Sequence, residues 1–159
     1  MIDKSIKYLG YFTAFVLCLL VLLVVYDATA RYLFSTGSIA LQELEWHLFD
    51  LVILFSIAYT LRENSHVRVD IFYANFTPKT KIIIDIISSL FFILPFSFLI
   101  IYISIDFVHL SFVQNEVSSN PGGLKYRYIV KALLPISFVF LSLVAFRDIA
   151  ENIKRLKLL

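Results

Sequence analysis

The sequence predicts an all-α integral membrane protein with four transmembrane helices, both termini in the cytoplasm and a short interfacial helix on the cytoplasmic side. Of its 159 residues, 60% are hydrophobic and 16% are charged, whereas soluble domains carry about 25% charged residues. The apolar residues are gathered into blocks of about 20, the helix length that crosses a hydrocarbon core of about 30 Å. We therefore expect a single four-span membrane domain over residues 1–159.

The first span is predicted over about residues 8–27, after a short start that carries Lys4 and Lys7. Its apolar run exceeds the roughly 7–15 residues of a signal peptide, so we expect the segment to stay in the mature protein. Asp27 and Arg31 stand four residues apart at its far end, on one helix face. This pair either ends the span at the membrane surface or contacts a partner helix.

The second span is predicted over about residues 41–61, after a turn at 35–38. Glu43 and Glu45 open it, and acidic side chains suit the positive end of a helix dipole. Trp46 follows at the position where an aromatic belt meets the membrane surface.

A surface helix is predicted over about residues 69–76, after the second span. Val69, Phe72, Tyr73 and Phe76 recur at helical spacing, which gives one apolar face on a short segment. Such a segment is typical of a helix that lies in the membrane interface.

The third and fourth spans are predicted over about residues 80–105 and 127–147. Thr77-Pro78 provides an N-cap and a proline at the first helical position of the third span. Pro95 falls in the middle of that span, where we expect a kink. The Asn-Pro-Gly-Gly sequence at 120–123 predicts a turn before the fourth span.

The distribution of basic residues predicts the orientation. Ten of the 14 Lys and Arg residues fall on the side of the termini: Lys4, Lys7, Arg62, Arg68, Lys79, Lys81, Arg147, Lys154, Arg155 and Lys157. The other side has Arg31, Lys125, Arg127 and Lys131. Because cytoplasmic loops are enriched in Lys and Arg, both termini and the 62–81 loop are predicted to be cytoplasmic.

The candidate site with the clearest helical spacing consists of Glu43, His47 and Asp50, at i, i+4 and i+7 on one face of the second span. Ionisable side chains inside a membrane suggest function, so a proton relay, a metal site or an ion step is one interpretation. The other is that Glu43 and His47 lie at the interface, while Asp50 is buried and satisfied by a partner helix. We favour the second.

A haem site is the alternative from another class of function. His47 and His109 fall at comparable depths on different spans, and two facing histidines ligate b-type haem. The chain would then be a haem-bearing or haem-free membrane anchor of a redox complex.

Further polar groups lie at the two membrane surfaces. His66, Arg68 and Asp70 form either a docking or catalytic patch or, together with Trp46 and Arg62, a set of depth anchors, in which Arg68 binds lipid phosphates and Asp70 caps the surface helix. On the other side, Lys125, Arg127 and Lys131 either anchor the fourth span at lipid headgroups or meet an acidic periplasmic surface.

Composition excludes several classes of function. The net charge of +2 is too small to indicate nucleic-acid binding. The single Cys18 cannot form an internal disulfide, a redox pair or a thiolate metal site. The sequence has no set of nucleophile, base and orienting group, and no paired repeats of a transport path. We therefore expect no enzyme activity, no cofactor and no metal site.

Several motifs together resemble one family. They are Arg31-Tyr32-Leu33-Phe34, Gln42-Glu43-Leu44-Glu45-Trp46, Ala58-Tyr59-Thr60-Leu61-Arg62, His66-Val67-Arg68-Val69-Asp70 and Pro121-Gly122-Gly123-Leu124 with Tyr126-Arg127 and Lys131-Ala132. The sequence resembles the small membrane subunit, DctQ-like, of tripartite ATP-independent periplasmic (TRAP) transporters. It departs from relatives at Lys125, where a proline is frequent, and at Ser56 or Ile57, where a glycine is frequent.

The resemblance implies a role in a multi-subunit transporter of the bacterial inner membrane. A periplasmic solute-binding protein captures an organic acid, and a large membrane subunit moves it by an ion-driven elevator motion. The small subunit pairs with the large one as a fixed scaffold and binds no substrate. We expect the large subunit to contact this chain at Asp27, Arg31, Glu43, His47 and Asp50. Lys125 and Arg127 are the residues we expect to dock the binding protein transiently.

Overall fold

The computed structural model describes residues 2–63 and 76–158. The elements in this part of the chain are α1 (Ile2–Phe34), α2 (Ile39–Arg62), α3 (Pro78–Ser88), a π-helical turn (Ser89–Ile93), α4 (Leu94–Val113) and α5 (Tyr128–Lys157). The segments from Pro78 to Val113 form one continuous helical stretch, so four stretches are long and apolar enough to cross a membrane. No strand occurs in the described ranges, and the predicted all-α fold with four spans is confirmed at this level.

The helices extend further than the predicted spans. α1 continues to Phe34, the third helical stretch to Val113, and α5 to Lys157. The hydrophobic pattern marks where the chain meets hydrocarbon, whereas a helix continues into water as long as its residues form helix well. The predicted interfacial helix at 69–76, apart from Phe76, lies outside the described residues, as do His66, Arg68 and Asp70.

Side chains cap two of the helices at their N-termini. The Ser38 hydroxyl accepts a hydrogen bond from the Leu41 amide at 3.4 Å. The Thr77 hydroxyl accepts one from the Thr80 amide at 3.2 Å, and Pro78 occupies the first turn. The start predicted from Thr77-Pro78 is confirmed.

The irregularity expected at Pro95 takes the form of the π-helical turn directly before it. The Leu94 amide bonds to the Ser89 carbonyl, five residues back. Proline has no amide hydrogen and its ring crowds the carbonyl four residues earlier, here that of Phe91. Widening the preceding turn accommodates both effects, and such bulges are an established cause of helix bending.

The helices form an open layer in which α5 is central. α1 packs chiefly against α2, α2 against α5, and α5 against α3, the π-helical turn and α4. The buried apolar core collects residues from all four stretches: Ile6, Ala58, Leu61, Leu94, Phe138, Leu141, Val144 and Ala145.

The contact between α1 and α2 follows a seven-residue repeat. Buried α1 residues at this interval are Ile6, Thr13, Leu20 and Asp27, the spacing of a left-handed helix pair. Near its start, a Cβ added to Gly10 would lie 2.6 Å from ring atoms of Tyr59. Glycine at this position therefore lets the two helices approach closely.

The contact between α4 and α5 is lined by serines. Ser97, Ser104 and Ser111 are buried on α4, again at intervals of seven, and Ser137 and Ser142 are buried on α5. The Ser97 hydroxyl donates to the Ile93 carbonyl at 2.7 Å, and that of Ser142 to the Phe138 carbonyl at 2.8 Å. Because the hydroxyls of Ser97, Ser104, Ser137 and Ser142 donate to carbonyls of their own helix, these four serines act as small packing residues inside the membrane.

Candidate functional site

A cleft of about 490 Å³ opens between α2, α4 and α5, beside the 114–127 loop. We call it the α2–α5 cleft. Its lining residues are Glu43, Trp46, His47, Asp50, Ile53, Leu54, Phe107, Asn120, Arg127, Val130, Lys131 and Leu134. The structure thus brings together the predicted group on α2 with two of the three predicted basic residues.

Glu43 at the top of this cleft binds the 114–127 loop. Its carboxylate accepts hydrogen bonds from the Ser118 hydroxyl, from the Leu124 amide at 2.6 Å and from the Asn120 side-chain amide at 3.3 Å. A carboxylate with several donors forms strong charge-assisted bonds. Glu43 therefore joins α2 to a loop about 80 residues later in the chain.

The predicted turn at 120–123 wraps this carboxylate. Gly122 has a φ of +83°, in the left-handed region that glycine adopts most readily. A Cβ added to Gly123 would lie 2.7 Å from the Glu43 Oε2 atom and 2.5 Å from the Ser118 side chain. The sequence signals the turn, but it gives no sign that the turn encloses Glu43.

Asp50 also lines the cleft, two helical turns after Glu43 along α2, and is exposed. It makes no hydrogen bond or ion pair with any residue of 2–63 or 76–158. It shares an exposed stripe of α2 with Trp46, Phe49 and Ile53, spaced by three or four residues. The Trp46 and Phe49 rings meet edge to face with centroids 6.1 Å apart.

The predicted basic cluster is divided by the fold. Lys131 donates to the Glu116 carboxylate and lies over the Phe107 ring, with its Nζ atom 4.1 Å from the centroid. The hydrogen bond from Lys131 lowers the pKa of Glu116, which belongs to the loop. Lys125 is exposed. Arg127, at the start of α5, acts electrostatically on Glu43 and Glu116.

Asp27 and Arg31 form an ion pair inside the α1–α2 contact. Asp27 is only 2% exposed, so this carboxylate is covered by the packing of the chain itself, whereas the Arg31 side chain is 45% exposed. Its Oδ1 atom and the Glu45 Oε1 atom are buried without a hydrogen-bond partner among the described residues. Asp27 and Arg31 act electrostatically on Glu45, so a second carboxylate lies near the ion pair. The sequence pattern suggests only a helix-dipole role for Glu45 and gives no sign that it lies near this ion pair.

A second cleft of about 570 Å³ lies at the opposite end of the helices. Its lining is largely charged and comes from the end of α2, the start of α3 and the last turns of α5: Arg62, Pro78, Lys81, Ile82, Asp85, Arg147, Asp148, Glu151, Asn152 and Arg155. The Arg62 guanidinium bonds to Glu63 at 3.0 Å, and that of Arg147 to Glu151 at 2.6 Å.

The structure separates the two histidines of the haem alternative. His47 lines the α2–α5 cleft, whereas His109 is exposed on α4 and is not part of the cleft lining. Within the described ranges, no three His, Cys, Asp or Glu side chains are grouped as metal ligands.

Comparison with known proteins identifies a family. The family model for tripartite ATP-independent periplasmic transporters, DctQ component, matches residues 20–155. A comparison with curated proteins finds no match. The matched range includes α2, α3, α4 and nearly all of α5, and thus both clefts and the Asp27–Arg31 pair. The chain therefore belongs to the DctQ component family of the tripartite ATP-independent periplasmic transporters.

Proposed function

We propose that the chain pairs with a large permease subunit and scaffolds it in a secondary-active TRAP transporter of the bacterial inner membrane. The family match over residues 20–155 carries this proposal. In this role the small subunit is non-catalytic, and the substrate is an organic acid that a periplasmic binding protein delivers for ion-coupled uptake.

The open arrangement of the helices supports a role as a subunit. α1 packs chiefly against one neighbour, and large apolar side chains remain exposed along it and along α4. An extensive apolar surface fits lipid on one side and a protein partner on another. A scaffold also needs a fixed depth, for which Trp46 and Arg62, and by sequence His66, Arg68 and Asp70, are the proposed anchors.

The proposed orientation places both termini and the second cleft in the cytoplasm, as the distribution of basic residues predicts. The α2–α5 cleft and the 114–127 loop then face the periplasm. The proposed partner-facing residues remain Asp27, Arg31, Glu43, His47 and Asp50. Of these, Glu43 is already bound by the chain's own loop, and the Asp27–Arg31 pair by its own helix contact.

Co-expression with the large subunit and the binding protein tests the pairing. A tag on the small subunit should recover the large one from detergent extracts, and both together should be required for substrate uptake in proteoliposomes. Recovery of the small subunit alone, with uptake by the large subunit unaffected by its absence, contradicts the proposal.

We also propose that Lys125 and Arg127 dock the binding protein. Lys125→Glu with Arg127→Glu should raise the concentration of loaded binding protein needed for half-maximal uptake, because charge reversal weakens electrostatic steering. Lys154→Glu with Lys157→Glu changes the net charge equally at the other end and is the control. Unchanged uptake in a normally assembled Lys125/Arg127 variant contradicts the docking role.

A further inference from the structure

Asp50 is a carboxylate without a partner among the described residues, and it lies halfway along a membrane-crossing helix. It is the twelfth residue of α2, so its Cα lies about 16 Å from one end of the helix and about 18 Å from the other. A charged side chain at the centre of a bilayer is unfavourable by about 3 kcal/mol or more unless it is paired or hydrated. No described residue pairs with Asp50.

The cations of the same cleft are engaged elsewhere. Lys131 binds Glu116 and lies against the Phe107 ring. Arg127 acts on Glu43 and Glu116, and Glu43 stands two helical turns, or about 10 Å, from Asp50 along α2. The cleft lining has the carboxylates Glu43 and Asp50 and the cations Arg127 and Lys131. Glu116, which pairs with Lys131, adds a third carboxylate. One negative charge is therefore uncompensated, and it belongs to Asp50.

The surroundings of Asp50 fit a side chain that arrives from a neighbouring helix. The cleft is open and has apolar walls at Ile53, Leu54 and Leu134, and Asp50 lies on its exposed edge. An occupant that reaches this depth is apolar along its length and brings a positive charge to its end. Lysine and arginine have this form.

We infer that a membrane helix of the large subunit inserts a lysine or arginine side chain into the α2–α5 cleft and pairs it with Asp50. The inference rests on the proposed function, and it adds the contact chemistry and the position. It also separates the residues of the predicted polar group. Glu43 organises the chain's own loop, whereas Asp50 is the residue left for the partner.

Co-purification with the large subunit tests the pair. Asp50→Glu keeps the charge and should retain the large subunit. Asp50→Asn keeps the shape but loses the charge, and should lower its recovery by about 3- to 15-fold, the range measured for polar contacts between membrane helices. Asp50→Arg should abolish recovery, because it places two cations together.

The control is Asp106→Asn. Asp106 is an exposed carboxylate on α4, and it lies only seven residues, about 10 Å, from the end of that helix, where water is within reach. Its loss should leave recovery unchanged. Membrane levels of each variant, measured before extraction, separate failed insertion from failed pairing.

A charge swap identifies the partner residue. In the Asp50→Arg background, membrane-embedded Lys and Arg residues of the large subunit are replaced one at a time by Glu, and one replacement should restore recovery. If Asp50→Asn and Asp50→Arg both retain the large subunit at the wild-type level, the inference is wrong while the proposed function stands. If the wild-type chain itself recovers no large subunit, the proposed function fails first.

A photo-crosslinker one helical turn from Asp50 distinguishes the occupants, because it leaves the carboxylate in place. Ile53→p-benzoylphenylalanine, in the lining of the same cleft, should form an adduct with the large subunit in intact membranes. Adducts with lipid alone, or with a second copy of the small subunit alone, overturn the inference.

Discussion

At the scale of single residues, charge is unevenly compensated where α1 meets α2. Asp27 pairs with Arg31 while Glu45 lies nearby without an ion pair, and among the described residues each carboxylate has one buried oxygen without a hydrogen-bond partner. A surplus buried carboxylate opposes folding, whereas the paired one supports it. The two acids should therefore respond in opposite directions to substitution.

We predict that Glu45→Gln stabilises the isolated chain and that Asp27→Ala destabilises it by about 1.5–3 kcal/mol, the range for hydrogen bonds to charged groups. The first change removes the surplus charge, and the second leaves Arg31 unpaired. Thermal unfolding in detergent measures both. A shift of both variants in the same direction contradicts the pairing of Arg31 with Asp27 rather than with Glu45.

Glu43 gives a prediction for the 114–127 loop. Glu43→Gln replaces a charged acceptor of three donors with a neutral amide, so the loop should open more often. Hydrogen exchange of the Leu124 amide, which bonds directly to the carboxylate, should accelerate. Amides within α4 serve as the internal control, and unchanged exchange at Leu124 means that the loop is held by other contacts.

At the scale of elements, the approach of α1 to α2 depends on Gly10. Gly10→Val should push α1 away from the Tyr59 ring and destabilise the chain by about 1–3 kcal/mol, as overpacking does. The double variant Gly10→Val, Tyr59→Ala should recover much of that loss, because it removes the group that is struck. Unfolding of the single and double variants in detergent measures the coupling, and additive effects would contradict the contact.

The ion pair between Glu116 and Lys131 ties the 114–127 loop to α5 and makes it sensitive to acid. The hydrogen bond from Lys131 lowers the pKa of Glu116 in the folded protein from its ordinary value of 4.5. The stability that the pair contributes is therefore present above about pH 4.5 and is lost as the pH falls through the lower folded value. Lys131→Met should unfold at lower temperature at neutral pH and lose less stability on acidification. Parallel melting curves of the two proteins against pH would contradict this.

Element positions follow from the sequence more readily than element contacts. Apolar blocks indicate four crossings because bilayer thickness sets their length, and Thr77-Pro78 indicates a helix start. Glu43 shows the limit. Its acidic side chain is visible at a helix start, but its donors lie 75 to 81 residues away, beyond any local pattern. The serines of α4, by contrast, repeat every seven residues in the sequence, and this spacing could have indicated the helix face that packs against α5.

At the scale of the whole molecule, packing and charge divide the predicted interface residues into two groups. Asp27, Arg31 and Glu43 bond within the chain, while Asp50 remains open to a partner. The sequence predicts a partner contact for each of them alike, because helical periodicity shows which residues share a face but not which face is already covered by the chain itself. The ion pair on α1 and the loop that binds Glu43 distinguish them.

The central place of α5 has a consequence for biosynthesis. α1 and α2 are neighbours in sequence and in space, so they can pair as soon as both have entered the bilayer. The third helical stretch has no comparable early companion, because the serine-lined face of α4 packs against α5, which is translated last. The core therefore closes only after α5 has been translated, and a chain truncated before Tyr128 is expected to retain the α1–α2 hairpin while α4 remains unpacked and open to degradation by membrane proteases.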